Sequence, residues 1–426
     1  MIDRKKAPVF NAISSIDFIA PQKQLMDNGV PVYSISGGSQ DILKIDFIFN
    51  AGAGVQKKPL IAKATNSLMK EGTQHYSSHE IAEGIDQFGA YIQTESGFDK
   101  AHVTIYTLSK HLSKVLPFVQ EVLFSPSFDA REFTTYQQNE WEHFKIKQEK
   151  VSFLARNEFM KQLFGPTHPY GKIAVQQDFE NLQLADIKEH HALFYGMNNC
   201  EILVSGKIDP TTFDSLHQFF GTVDTAADPK KANPTYANTI TTSKIYIEKK
   251  NALQSAIRIG KLMPNKTHPD YFKLQILNTV LGGYFGSRLM KNIREDKGYT
   301  YGIGSGILSL QNSGYFYIST EVGADLTQKA LDEIYKEIAL LQSNLIGNDE
   351  LLLVKNYLLG SLLKSSDGPF KMGALFENVH CFGFDFEFYN RYIKTIKSVT
   401  AAELMATANQ YFKRDSLSEI VAGKLA

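Results

Sequence analysis

The chain has 426 residues, 43% of them hydrophobic, and its 45 basic side chains balance 45 acidic ones. At about 100 to 200 residues per domain, this length predicts at least two domains, and the zero formal net charge argues against long-range attraction to nucleic acid or to an anionic membrane. Two cysteines, Cys200 and Cys381, are too few for a disulfide framework or a cysteine-based zinc site, and they suit a reducing compartment.

The N-terminal segment does not predict export. Residues 1–8 are basic, but the stretch that follows through Asp17 forms no continuous apolar region of the kind that a secretory signal requires. No window of the sequence reaches the roughly 18 uninterrupted apolar residues of a membrane-spanning helix. We therefore expect a cytoplasmic protein without direct membrane insertion.

The two halves of the chain repeat the same order of elements. Alternating and helical apolar periods distinguish strands from helices in both. In the first half the patterns predict strands at residues 41–49, 88–92 and 102–106, and helices beginning near Leu60 and spanning 112–124 and 130–149. In the second half they predict strands at residues 243–248, 255–262, 299–307 and 314–320, and helices at 271–281, 326–345 and 349–365.

A polar stretch separates these halves. In residues 221–244 Thr, Asp, Ala, Pro and Asn dominate and apolar periodicity lapses, as is typical of a linker. We predict an α+β fold with an N-terminal lobe at residues 1–220 and a C-terminal lobe at 245–426. Each homologous lobe is expected to be a mainly antiparallel sheet with helices packed on one face, and the two lobes are expected to enclose a cleft.

The segment AKATNSLMKEGT, in the first half, introduces a family resemblance. It resembles the helix of the pitrilysin/insulinase family of inverted-motif zinc peptidases, in which H-x-x-E-H is followed by an apolar pair and a Gly-Thr turn. Aligning Gly72 and Thr73 with that turn puts the three functional positions of the motif on Lys63, Asn66 and Ser67. This spacing predicts one helical face for all three.

The chemistry of that motif is missing. Zinc hydrolysis needs imidazole or carboxylate ligands and a carboxylate base, whereas Lys63 is a cation, Asn66 an amide and Ser67 a hydroxyl. The 11 histidines form neither H-x-x-E-H nor H-E-x-x-H elsewhere in the sequence. We therefore expect these to be degenerate zinc-motif positions, with no metal, no other cofactor and no catalytic residue in this chain.

Two other histidine groups could be considered as metal sites. His75 and His79 lie beside Glu80, but Ser77 with Glu80 forms a capping-box pattern, which places His75 outside the helix and favours a solvated helix start. At residues 189–191, Glu-His-His puts adjacent side chains in different directions on a helix. Both patterns favour surface or partly buried histidines over a metal site.

The strongest positive pattern is LGGYFGSRL followed closely by NIREDKGYTY. The Gly-rich turn lacks both G-x-x-x-x-G-K-[ST] and G-x-G-x-x-G, which argues against phosphate binding. The run is similar to the C-terminal lobe of the same peptidase family, in which a Gly-Gly-x-x-x-Ser-Arg-Leu turn precedes a helix ending in Leu/Ile-Arg and then a Tyr-bearing strand. The resemblance implies that Arg294 and Tyr301 match the family's Arg/Tyr pair, which contacts the substrate peptide near the scissile bond.

Local patterns are compatible with that role. Arg294 closes a helix that Gly298 ends, and Tyr301 is expected to open the next strand on the same face as Tyr299 and Ile303. Guanidinium and phenol donors can bind a peptide carbonyl and stabilise its oxyanion. From the residues alone, the alternative is that Arg294 pairs with an acidic neighbour and Tyr301 fills the core.

A degenerate zinc motif beside an Arg/Tyr pair resembles the noncatalytic subunit of two-chain family members, such as the mitochondrial processing peptidase type. The resemblance, which extends from about residue 28 to residue 365, implies a homologous H-x-x-E-H partner that carries zinc, and a peptide substrate. Two alternatives remain open. The chain could be a non-proteolytic scaffold or peptide-binding protein of the same fold, or a peptidase that uses unrecognised ligands.

Overall fold

The computed structural model describes residues 13–223 and 242–424. Its elements are numbered along the chain. The strands of the first half are β1 (Gln22–Leu25), β2 (Pro31–Ser36), β3 (Ile42–Phe49), β4 (Tyr91–Ser96), β5 (Ala101–Leu108) and β6 (Cys200–Gly206). Its helices are α1 (Ile61–Leu68), α2 (Ser78–Asp86), α3 (Leu112–Phe124), α4 (Ala130–Gln148), α5 (Val151–Phe164), α6 (Gln176–Glu180), α7 (Leu184–Phe194) and α8 (Thr211–Phe220).

The second half follows the same plan. Its strands are β7 (Lys244–Glu248), β8 (Gln254–Met263), β9 (Ile303–Leu310), β10 (Ser313–Gly323) and β11 (Ser418–Gly423). Its helices are α9 (Tyr271–Asn278), α10 (Thr327–Ser343), α11 (Asn348–Ser365), α12 (Pro369–His380), α13 (Glu387–Ser398) and α14 (Ala401–Tyr411). Two π-helical segments, Thr279–Gly283 and Met290–Asp296, lie between α9 and β9.

The two sheets share one topology. The first has the strand order β1-β2-β6-β3-β5-β4 and the second β7-β11-β8-β10-β9. In each sheet one neighbouring pair is parallel, β2 with β6 and β7 with β11, and the other pairs are antiparallel. From the parallel pair onward the pattern of neighbours is identical. The predicted α+β class with two homologous, mainly antiparallel lobes is confirmed.

Strand alternation explains how each sheet is covered. In β3, Leu43 and Phe47 are fully buried in the core formed with α1, α3 and α8, whereas Lys44 and Asp46 point to the opposite face because successive side chains alternate. In β8, Ile257 likewise belongs to the core formed with the helices of the second half. Each lobe thus buries one sheet face against its own helices.

The opposite face of each sheet receives a helix from the other half of the chain. Helix α5 packs on β8 and β11, where a Cβ added to Gly260 would lie 2.8 Å from the ring of the fully buried Phe159. Helix α12 packs on β2 and β6, where a Cβ on Gly373 would collide with Ser205 Oγ. This exchange of helices joins the lobes through their hydrophobic interiors.

Two strands start later than predicted, and a glycine with left-handed backbone precedes each of them. The strand predicted at residues 299–307 begins at Ile303, and the one predicted at 88–92 begins at Tyr91. Gly298 and Gly89 adopt φ of 65° and 62°, so a left-handed turn comes before each strand can start.

Most of the predicted linker, residues 224–241, lies outside the described residues, so the boundaries predicted at residues 220 and 245 stay a prediction. In the part of the chain that the structure describes, no helix combines the length and the apolar character needed to cross a membrane.

Candidate functional site

The first part of the site is helix α1, which carries the degenerate motif positions. The Lys63 side chain is 51% exposed, and its ammonium pairs with the Glu140 carboxylate of α4. Ser67 is half-buried and hydrogen-bonds the Tyr136 hydroxyl, and burial raises the pKa of Tyr136. Both positions are thus tied to α4 by ordinary polar contacts.

Asn66 is different because it is buried, with only 1% of its surface exposed. Its amide donates to the backbone carbonyl of His102 and to the Tyr195 hydroxyl, at 3.2 Å in each case. Tyr195 is itself buried, and this burial raises its pKa. The three motif positions therefore run from exposed to buried around α1, and Asn66 belongs to the interior of the lobe.

These three side chains do not fit a zinc ion. An ammonium repels a dication, the Asn66 amide directs its N–H group at two oxygens, and the Ser67 hydroxyl is a weak ligand. Within residues 13–223 and 242–424, no group of three or more His, Cys, Asp or Glu side chains is placed to hold a metal ion.

The local geometry of the other two histidine groups agrees with the prediction, except that His190 is buried and not at the surface or partly buried. Ser77 and Glu80 form the predicted capping box of α2, and His75 lies outside that helix, 2.9 Å from a carboxylate oxygen of Glu121. The neighbouring side chains of residues 189–191 diverge. His190 donates to a backbone carbonyl at 3.1 Å, and burial lowers its pKa to about 4.

The second part of the site is the Gly-rich turn and its π-helical flanks. A Cβ on Gly282 would lie 2.7 Å from the backbone nitrogen of Ser305 in β9, so only glycine allows the turn to pack on this strand. Tyr284 packs against Tyr357 of α11 with tilted rings whose centroids are 4.7 Å apart. Sequence periodicity does not distinguish π from α segments, and such π segments occur frequently at functional sites.

Arg294 lies in the second π-helical segment, at the edge of this turn. Its guanidinium carbon is 4.7 Å from the ring centroid of Phe285, and it makes no ion pair with any described residue. Other cations of the same region do have carboxylate partners: Arg288 pairs with Glu350 at 2.8 Å, and Lys297 with Glu333 at 3.3 Å. The alternative that Arg294 pairs with an acidic neighbour is therefore not what the structure has.

Tyr301 was expected to open a strand, and this was wrong. It lies in a bend two residues before β9 and is 94% exposed, so it does not fill the core either. The Thr300 hydroxyl donates to the Glu321 carbonyl at 2.7 Å and accepts from the Gly302 amide at 3.1 Å. Because these side-chain bonds replace strand pairing, the bend projects the Tyr301 phenol into solvent.

A polar cavity of about 510 Å³ lies where the lobes meet, in the position of the expected cleft. It is lined by side chains of β3, β4 and β5 and by Glu377 of α12. His102 and Glu377 pair across it at 2.6 Å, and the buried Asp46 pairs with Lys44 at 2.7 Å. The alternating polar residues of β3 and β5 were the sequence signal for this lining, and Phe285, inside a glycine-rich run, was the signal for the aromatic contact of Arg294.

Fold and site together define a two-lobed scaffold of the zinc-peptidase type whose motif helix lacks zinc-binding side chains. Comparison with known families agrees. Residues 60–167 match the family described as insulinase (peptidase family M16), and residues 181–358 match the peptidase M16 inactive domain. The chain belongs to the pitrilysin/insulinase family, peptidase family M16, and is a noncatalytic member of it.

Individual relatives are distant but extensive. An uncharacterized zinc protease YmxG of Bacillus subtilis is 25% identical over 69% of this chain and 71% of the relative. The non-peptidase homolog YmxG of Helicobacter pylori is 23% identical over 74% of each chain. A crystal structure of a peptidase M16 inactive domain from Pseudomonas fluorescens superposes with a TM-score of 0.85 at 23% identity, covering 95% of this chain and 98% of that one, which supports the fold.

Proposed function

We propose that this chain is the noncatalytic, substrate-binding subunit of a two-chain zinc metallopeptidase that cleaves peptides. A homologous partner with an intact H-x-x-E-H helix would supply the zinc and the glutamate base. One observation carries the proposal: Arg294 makes no ion pair with any described residue and Tyr301 is 94% exposed, while Lys63, Asn66 and Ser67 are engaged in internal contacts.

The donors suit a peptide backbone. A guanidinium offers five N–H groups and a phenol one O–H, and both can bind a carbonyl oxygen whose negative charge grows during hydrolysis. Because Arg294 makes no ion pair with any described residue, its charge remains available to an incoming oxygen. Arg294 and Tyr301 would thus hold the substrate while the partner cleaves it.

A sheet edge can hold the rest of the peptide. Strand β9 begins two residues after Tyr301 and is the terminal strand of the second sheet, and β4 is the terminal strand of the first. A peptide that adds to such an edge is bound through its backbone, which gives loose sequence preference.

The comparisons support a division of labour between related chains. Two relatives at similar distance from this chain are described, one as a zinc protease and the other as a non-peptidase homolog. Relatives of this chain are thus described both as zinc proteases and as non-peptidase homologs. A two-chain peptidase with one catalytic and one noncatalytic subunit needs both kinds of chain.

The test begins with the partner. The tagged chain is isolated from its source, co-purifying chains are identified by mass spectrometry, and an H-x-x-E-H homologue is reconstituted with the recombinant chain. We expect zinc-dependent peptide cleavage by the pair only. Homodimers, or a complex that lacks such a homologue, would favour the non-proteolytic scaffold, and chelator-sensitive cleavage by the pure chain would favour a peptidase with unrecognised ligands.

The roles of the two side chains are then measured in the reconstituted pair. Removal of one oxyanion donor costs about 10² to 10³ in rate, so Arg294→Ala should lower kcat/KM on the order of a hundredfold. Tyr301→Phe, which removes one hydrogen bond, should lower it about tenfold. Arg391→Ala is the control, since Arg391 also lies over an aromatic ring, with its guanidinium carbon 5.6 Å from the ring centroid of Phe384, and is exposed whereas Arg294 is half-buried. Unchanged kcat/KM in both site variants would show that the assigned roles are wrong.

A further inference from the structure

The ring beneath Arg294 has an unusual environment for phenylalanine. Phe285 lies in the Gly-rich turn with 63% of its surface exposed, so burial in the core does not explain its position. Its ring centroid is 4.7 Å from the guanidinium carbon of Arg294. At that separation the negative face of the ring attracts the cation.

The turn that carries Phe285 is fixed from both sides. Before it in sequence, Tyr284 packs against Tyr357, and after it, Arg288 makes two hydrogen bonds of 2.8 Å to the Glu350 carboxylate. Both partners belong to α11. The turn is therefore anchored to α11 on both sides of Phe285, which gives the arginine a ring in a defined place as a support.

We propose that Phe285 is a positioning residue for Arg294. Its ring covers one side of the guanidinium and leaves the N–H donors at the edge facing solvent, where a substrate carbonyl would approach. An arginine without an ion pair samples many rotamers, and a support that selects one of them lowers the entropy lost when a ligand binds. This inference rests on the proposed function of Arg294, and it adds the reason why Arg294 is held without a carboxylate.

The first test uses the isolated, full-length chain. Order of the Arg294 side chain is measured by the Nε–Hε heteronuclear NOE on deuterated protein, with the signal assigned by Arg294→Lys. We expect Phe285→Leu, which retains apolar bulk but loses the ring, to increase the mobility of Arg294, and Phe285→Tyr to restore order. Phe384→Leu is the matched control, because it should mobilise Arg391 and leave Arg294 unchanged. Equal order of Arg294 in the wild type and Phe285→Leu would overturn the proposal.

The second test uses the reconstituted pair. An exposed cation–π contact corresponds to about a two- to fivefold effect, so Phe285→Leu should lower kcat/KM by about that factor and Phe285→Tyr should not. In an Arg294→Ala background, Phe285→Leu should have no further effect, since the group it positions is gone. An equal effect of Phe285→Leu in both backgrounds would contradict positioning.

The two tests separate this inference from the proposed function. If Arg294→Ala leaves kcat/KM unchanged, the substrate-binding role fails, while the NMR comparison still decides whether Phe285 orders Arg294. If Arg294→Ala is strongly impaired and Phe285→Leu changes neither readout, the function stands and the positioning role is refuted.

Discussion

Phe159 allows a direct test of the helix exchange between the lobes. It lies on α5 in the first half of the chain, but its fully buried ring packs against Gly260 of the second sheet. Phe159→Ala would leave a cavity at this contact, and such substitutions cost about 3–5 kcal/mol. Because a domain has about 5–15 kcal/mol of total stability, the milder Phe159→Leu, at about 1–1.5 kcal/mol, should be measured beside it.

Native-state hydrogen exchange locates this loss in the structure. About 3 kcal/mol corresponds to exchange faster on the order of a hundredfold wherever the amides open with the affected core. We expect Phe159→Ala to accelerate exchange in β8 and β11, far along the chain from the substitution. Phe220→Ala, which opens the core of the first sheet, is the control and should act on β3 instead. Faster exchange confined to the first sheet in Phe159→Ala would refute the exchange of helices.

Three further predictions concern the motif helix, the Gly-rich turn and the lobe contact. Asn66→Ala should lower the free energy of unfolding by about 1–3 kcal/mol, because the His102 carbonyl and the Tyr195 hydroxyl lose their donor. Lys63→Ala should change it by less than about 1 kcal/mol, because its ion pair is exposed, and urea unfolding compares the two variants. Gly282→Ala should lower the free energy of unfolding by about 1–3 kcal/mol, because it forces a Cβ against the Ser305 backbone. Gly302→Ala, whose added Cβ has no atom within 4 Å, should leave the melting temperature nearly unchanged. Acid should weaken the contact of α12 with the first sheet, since a hydrogen bond from His380 lowers the pKa of Glu201 from its ordinary value of 4.5. A carboxylate whose pKa is lowered in the folded state stabilises the fold above its unfolded pKa and loses this contribution as pH falls through the folded pKa. Glu201→Gln should therefore flatten the fall in the free energy of unfolding below about pH 4.5. Urea unfolding at a series of pH values measures this.

Much of the architecture could be predicted from the sequence because each element carries its own periodicity. The alternation in β3 and the long apolar periods of α3 and α11 predicted those elements to within a residue or two. The helix exchange could not be predicted in this way. The sequence of α5 has little amphipathic periodicity although Ala155 and Phe159 are buried on one face, and both sheets offer an apolar surface to such a helix.

The site was predictable to the extent that it rests on motif spacing. Lys63, Asn66, Ser67 and Arg294 lie on the helical segments where the motifs placed them. Tyr301 does not begin a strand, because the Thr300 hydroxyl, three residues before β9, closes a bend, and strand propensity contains no information on that bond. Whether Arg294 contacts an aromatic ring or a carboxylate depends on which side chains the folded chain places beside it. Sequence patterns do not contain that information.

The two sets of motif positions differ in what their side chains do for the fold. The degenerate zinc positions are all used internally: Lys63 with Glu140, Asn66 with Tyr195, and Ser67 with Tyr136. Restoring imidazoles and a carboxylate there would break each of these contacts, so the helix is adapted to a structural role. Arg294 makes no ion pair with any described residue and contacts the Phe285 ring, and Tyr301 is 94% exposed. Groups that add little to stability yet keep a strong hydrogen-bonding capacity at one edge are placed to act on another molecule, which is why the proposed function assigns the peptide to them and the zinc to a partner.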